Sequence, residues 1–187
     1  MTMTDRPTLP NGVDIDAIRG ARAAFAETPD LARFQFRATN RWADGVRSQT
    51  TFDTFYGVGD EQAHKQPFVF DADHPQLLAA PDNGPTPVEF LLHGLASCIT
   101  AGIASVAAHR GIALRSVTST LEGDLDMRGL LGIDDGVRNG YTTIHARFHV
   151  EGDASADELA ALVRQSTRRS AVFDVLTNGV AVDVAVS

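Results

Sequence analysis

Cys98 is the only cysteine among 187 residues, and it sits midway along a stretch from Thr86 to Arg110 that reads as one long helix. A thiol in that place is either a small buried hydrophobe or a nucleophile held out of bulk water. The second role needs a depressed pKa, from a nearby cation or a helix N-terminus, and some access for a substrate. The N-terminus of its own helix is too distant, because the dipole effect fades within about one turn. A group from elsewhere in the fold must therefore prime the sulfur, and an arginine would do so.

Other residues of chemical character have structural explanations ready. Glu89 stands three residues after Thr86, the spacing of a capping box, and that role suffices for it. His93 is one turn after Glu89, so the two can touch. It is five residues before Cys98, about 140° around the helix, a poor placement for a Cys–His pair within one helix. It reads as a core histidine or as a contact from a second subunit. Asp71, Asp73, His74 and His64 carry metal-binding groups without the spacing of a known site, and read as solvated loop residues. His145 and His149 share the solvent face of a strand. There is no G-x-S-x-G elbow, no phosphate-binding P-loop and no dinucleotide fingerprint, so no metal and no cofactor is expected.

The elements that must hold these residues follow from periodicity. Residues 1–10 are polar, with two prolines, and are expected to be disordered. Asp14 to Glu27 repeats apolar residues at helical spacing and stops at Thr28-Pro29. Arg33 to Thr39 alternates as a strand, Asp44-Gly45 is a hairpin turn, and Val46 to Phe55 is the return strand. Gly57 to Gln66 reads as a polar loop, Phe68 to Phe70 as a short strand, and Asp71 to Pro85 as a long connection.

The central helix starts with Thr86 as N-cap and Pro87 in the first turn, and Gly111 ends it. Being apolar nearly all round, it is expected to be buried on almost every side, in a soluble core rather than a bilayer. Gly94, Cys98, Gly102 and Ser105 form a small-residue stripe that lets another helix approach closely. The expected partner is the same helix of a second copy, in an isologous homodimer. Beyond it, Leu114 to Glu122 and Tyr141 to Val150 read as strands around a glycine-rich loop at 123–139. Ser155 to Arg169 is a helix opened by a capping box. Ser170 is an N-cap for a turn starting at Ala171, and Val180 to Val186 is a last strand. Segregated runs of strands and helices predict an α+β fold with mostly antiparallel sheets.

Composition bounds the function. A formal charge of −8 without any Lys/Arg run excludes the electrostatic footprint of nucleic-acid binding. One cysteine excludes an internal disulfide and a four-cysteine zinc site. The first residues lack a basic segment followed by an apolar one, so the expected location is the cytoplasm.

The run Pro87-Val-Glu-Phe-Leu-Leu-His-Gly-Leu-Ala-Ser-Cys98 resembles the central-helix motif of the OsmC/Ohr family. Arg168-Arg-Ser-Ala-Val-Phe-Asp174 stands where that family carries its second cysteine, and the Trp42-Ala-Asp-Gly45 turn resembles its N-terminal strand pair. The resemblance covers about Leu31 to Ser187, which leaves 1–30 as an N-terminal extension with a short helix and 31–187 as the domain. It implies an intertwined homodimer whose sheets wrap long central helices. It also implies reduction of hydroperoxides by a peroxidatic cysteine.

In the family an arginine from the N-terminal strands holds the thiolate. Arg37, Arg41 and Arg47 are candidates, and Arg41 is nearest the matching turn. Glu89 would orient that arginine or the hydroperoxide, and His93, Ser170 and Phe173 would line the pocket. Two departures stand out. Ser170 replaces the resolving cysteine, so a two-cysteine cycle is impossible. Val88 occupies the position of the family glutamate, and Glu89 is shifted by one residue, about 100° around the helix. The resemblance therefore implies a one-cysteine peroxidase regenerated by an external thiol, or a dimer that binds a small apolar ligand without catalysis.

Overall fold

The structure is a computed structural model that describes residues 10–186; the segment expected to be disordered therefore lies almost wholly outside the described residues. The chain forms two compact units. One is Asp16–Leu91; the other joins the short segment before it to Leu92 and all that follows. The architecture is α+β with antiparallel sheets, as the segregated pattern predicts.

In the N-terminal unit, α1 (Ile15–Glu27) comes first and Thr28-Pro29 stops it, as expected. The segment expected as one strand over Arg33–Thr39 instead splits into the two-residue β1 (Gln35–Phe36) and the start of β2 (Thr39–Asp44). Gly45 and Val46 turn the chain into β3 (Arg47–Gly57).

The expected polar loop at Gly57–Gln66 is a second hairpin. β4 (Asp60–Ala72) pairs along β3, and it absorbs the short strand at Phe68–Phe70. Its turn is Val58-Gly59, both residues at positive φ (55° and 82°). Valine is rare in that conformation, so the sequence carries no Asn-Gly or Asp-Gly signal there. Polar side chains on an edge strand also imitate a loop. Between Phe52 and Thr54 the partner on β4 moves from Phe68 to Ala63, so residues 64–67 bulge opposite Asp53. Pro67 falls in that bulge, where no ladder donor is needed.

The connection after β4 is not a solvated loop either. Asp73 is fully buried, and its carboxylate accepts the backbone N–H groups of His74 and Asn83, each at 2.9 Å. Those bonds hold its carboxyl below the ordinary aspartate range against the opposing effect of burial. Asp71 pairs with Arg47 at 3.2 Å, and the His64 ring lies tilted against Phe55 and edge-on to Phe68. Buried backbone donors satisfied by one carboxylate make this segment a staple.

α2 (Pro87–His109) begins at the end of this unit and continues into the next. Its start is the expected capping box: Glu89 accepts from the Thr86 N–H at 2.7 Å and from its hydroxyl at 2.8 Å. Its end is a Schellman motif. Gly111 adopts φ 71°, its N–H reaching the Ala108 carbonyl while the Ile112 N–H reaches that of Ala107.

The second unit packs its core on α2. β5 (Leu114–Asp124) and β6 (Thr143–Gly152) form a two-stranded antiparallel sheet. Val117, Leu121, Ile144, Phe148 and Val150 of that sheet cover the α2 stripe Leu95, Ile99, Ile103 and Ala107. His145 and His149 lie on the exposed face, as expected. The 123–139 loop contains a one-turn helix, α3 (Met127–Leu130), whose Asp126 cap is pushed down to about 2 by Arg128. α4 (Ala156–Arg168) opens with the expected Ser155–Glu158 capping box, and α5 (Ala171–Asn178) follows with Ser170 as its N-cap.

Within a single chain the burial of α2 is partial, and one expectation for this unit fails. α2 is buried along one stripe only, and Leu91, His93, Ser97 and Ala101 remain exposed. Among the described residues of this unit, β5, β6, α4 and α5 cover that stripe. α2 is also the one helix among the described residues long and apolar enough to cross a membrane. The expected last strand does not form: residues 180–186 pair with no strand among the described residues, and all of them are exposed. Alternation prepares a strand, but a strand also needs a free edge opposite it.

Candidate functional site

Cys98 lies on the α2 face that receives α4 and α5. Gly94 leaves room for Val172, whose nearest methyl would be 3.8 Å from a side-chain carbon placed on that glycine. At Gly102 the approach is tighter, because an added Cβ would meet the Ser166 Cβ at 2.9 Å. The small-residue stripe thus admits helices of the same chain. The expectation that it meets a second copy of α2 is corrected on this point.

Between Gly94 and Gly102, the Cys98 side chain points at the break between α4 and α5. The chain turns there because Arg169 closes α4 and Ser170 opens α5, its hydroxyl oxygen accepting the Phe173 N–H at 3.1 Å. Ser170 is 4% exposed, so the cap lies inside the protein. Partial burial pushes the Cys98 thiol up, but the Ser170 hydroxyl and the backbone N–H groups of Val172 and Ala171 pull it down and prevail. Cys98 therefore titrates below the ordinary thiol. The physical cause is a helix N-terminus, where unpaired amide donors and the dipole favour an anion. Ser170 acts twice, accepting from its own helix and donating to the sulfur.

The remaining sequence candidates are placed as follows. Glu89 is held in the α2 capping box, and its hydrogen bonds from Thr86 lower its pKa. Nine residues along a helix put it about 180° away from Cys98. His93 is exposed rather than a core histidine, and its ring lies 3.5 Å from the Ser97 hydroxyl. Phe173 lies in the first turn of α5, 36% exposed.

Among the arginines of the N-terminal unit, Arg37 is held by both oxygens of Glu61 (2.7 and 2.8 Å) and Arg47 by Asp71. Arg41 is exposed on β2, with no ion-pair partner among the described residues. The structure thus brings together Cys98, Ser170 and the start of α5. Sequence reasoning saw Ser170 as a cap and as the stand-in for a second cysteine; combining the two would have placed a helix N-terminus at the sulfur.

Comparisons with known proteins place the chain by family and fold. A family model described as OsmC-like protein matches residues 80–185, more than half the chain. Among solved structures, an OsmC-like protein from Mycoplasma pneumoniae is 17% identical, with a TM-score of 0.58 over 82% of this chain and 96% of that one. An organic hydroperoxide resistance protein, OsmC, from Legionella pneumophila is 16% identical, with a TM-score of 0.54 over 78% and 90%. An OsmC-like protein of unknown function from Vibrio cholerae is 14% identical, with a TM-score of 0.54 over 76% and 94%. At such identities the likeness is one of fold. No curated protein matches the chain. The family match spans both α2 with its cysteine and α5 with its buried cap, and the chain belongs to the OsmC-like protein family.

Proposed function

We propose that the protein is a one-cysteine hydroperoxide reductase of peroxide stress, with Cys98 as its peroxidatic thiolate. The observation that carries this reading is the sulfur's place at the α5 N-terminus, against the Ser170 hydroxyl and two backbone amides. A thiolate is the nucleophile, and such a site favours that form. Cys98 attacks the terminal peroxide oxygen; the S–O bond forms as the O–O bond breaks, and the alcohol leaves after taking a proton. The product is a sulfenic acid. Ser170 cannot resolve it, so an external thiol does.

The working unit in this proposal is a cytoplasmic, soluble homodimer. A second copy covers the α2 face that leaves His93, Ser97 and Ala101 exposed, and brings Arg41, whose guanidinium has no ion-pair partner among the described residues, to the thiolate. Phe173 and His93 wall an apolar pocket, and Glu89 stays in the α2 cap.

A second reading is a dimer that binds a small apolar ligand without catalysis. It is favoured by Glu89 being spent on its own helix cap.

The discriminating experiment treats the pure protein with one equivalent of cumene hydroperoxide, traps with dimedone and reads the intact mass. Rapid labelling of Cys98 is expected. A thiol that stays unmodified for hours yet titrates after unfolding overturns the enzyme reading, and a retained small molecule in native mass spectrometry then selects the binder. Native mass also reads the dimer, and a monomer at micromolar concentration overturns that part.

A further inference from the structure

We propose that residues 180–186 of one copy pair with the open edge of β6 in a second copy, a reciprocal exchange that joins the dimer. The inference rests on the homodimer of the proposed function and names the contact that forms it. The segment carries the pattern of a strand. Val180, Val182, Val184 and Val186 alternate with Ala181, Asp183 and Ala185, and each valine is at least 65% exposed. β-Branched residues at every second position suit a strand with one buried face. In its own chain the segment pairs with no strand among the described residues, so the edge that completes it belongs to another copy.

The β5–β6 sheet has the matching vacancy. Among the described residues the two strands pair only with each other, which leaves a row of backbone donors and acceptors open on each outer side. The two edges are not equivalent. At the start of β5 the Asn11 side chain imitates a neighbouring strand. Its amide donates to the Ile112 carbonyl and its carbonyl oxygen accepts the Leu114 N–H, each at 2.9 Å. The Ala113 carbonyl faces the other way and accepts the Asp153 N–H, so Asn11 sits on the outer edge of β5. Among the described residues no side chain claims the β6 edge in this way.

Side-chain chemistry selects the same edge. Along β6, Ile144, Phe148 and Val150 pack toward the core and are only half-buried, while His145, Arg147 and His149 are exposed on the outer face. A strand added beside β6 with its valines inward extends that apolar row. Its one charge, Asp183, then falls on the outer face next to a basic row. Beside β5 the same carboxylate would meet Glu122. Arg147 holds Glu122 through one guanidinium nitrogen at 2.9 Å, and its other N–H donors are left for a second carboxylate. Strand addition at a sheet edge draws affinity from the backbone and specificity from the alternate side chains.

The test exchanges charges between chains. Arg147→Asp and Asp183→Arg are made separately in the full-length protein. Each variant should dimerise about tenfold more weakly than the wild type at low salt, because both reciprocal contacts then oppose like charges. In an equal mixture of the two, one contact joins the substituted positions with opposite charges and the other is wild type. Native mass spectrometry should then show the heterodimer in excess over both homodimers. The doubly substituted chain should dimerise like the wild type. Backbone amides of β6 should also exchange hydrogen more slowly at concentrations where the dimer forms than after dilution.

Statistical mixing of the two variants, with the doubly substituted chain restored, means that the segment pairs with its own sheet and overturns the exchange. Dimers that neither substitution weakens, or β6 amides indifferent to dilution, overturn it as well and leave the homodimer standing. A wild-type monomer overturns both. Oxidation of Cys98 by cumene hydroperoxide, followed in the same samples, judges the peroxidase reading separately.

Discussion

α4 and α5 follow one another in the chain and both open with a serine, yet their N-termini do different work. At α4, Ser155 is matched by Glu158 three residues on, and the carboxylate returns to the Ser155 N–H at 2.9 Å. The positive end of that helix is neutralised from within. At α5 the same place holds Phe173, which offers the Ser170 hydroxyl an N–H but brings no charge. Ser170 caps only the Phe173 N–H, and the Ala171 and Val172 N–H groups are left to the Cys98 sulfur. α2 follows the α4 pattern with Thr86 and Glu89. A helix start becomes a site for an anion when its sequence omits the carboxylate that would fill it.

That contrast can be broken or sharpened by substitution. Cys98→Ser should abolish hydroperoxide consumption altogether, a loss of at least about a thousandfold for a missing nucleophile, read by peroxide assay; residual turnover would place the chemistry elsewhere. Phe173→Glu recreates at α5 the capping box of α4. The new carboxylate should compete for the same amides and raise the Cys98 pKa, slowing alkylation by iodoacetamide at pH 7 about tenfold, one pKa unit. An unchanged pH profile would mean that α5 does not prime the thiol.

Gly102→Leu forces side-chain atoms into Ser166 and should destabilise the fold by about 1–3 kcal/mol, seen as a lower urea midpoint; a loss of dimer at unchanged stability would return the small stripe to a subunit interface. Ser170→Ala removes both the cap and the donor to sulfur. About 1 kcal/mol of stability should be lost, with a raised thiol pKa that Ser170→Thr largely restores. Glu89→Gln should cost less than about 1 kcal/mol and leave Cys98 alkylation untouched, whereas a change in thiol reactivity would assign Glu89 to the site.

The pH dependence of the two groups runs in the same direction but at different pH. Cys98 is lowered in the folded state, so its thiolate adds stability that is complete above the ordinary thiol value, about 8.5, and is lost as pH falls through the lowered one. Glu89 is lowered too, by the Thr86 N–H and hydroxyl. Its contribution is complete above about 4.3 and fades as pH falls further, through its own folded value. A Glu89→Gln protein should lose only the acidic edge of the stability profile, and Cys98→Ser only the neutral-to-basic one.

Local rules made much of this molecule readable in advance. The Thr86 and Ser155 capping boxes, the Gly111 stop, the break at Thr28-Pro29 and the alternation of β6 each depend on neighbours within a few residues, and periodicity states them directly. The second hairpin was hidden because Val58 occupies a conformation its side chain disfavours and because an edge strand can be polar on its exposed face.

The environment of Cys98 was not legible. Its donors come from Ser170, Ala171 and Val172, over seventy positions along the chain, brought in by the close approach at Gly94 and Gly102. The sequence by itself determined where α1, α2 and α4 start and stop, and that a lone thiol would sit on a helix with a small-residue face. Only the tertiary structure decided which helix end that face would receive, because the electrostatics of a thiol depend on the donors within a few ångströms of it in space.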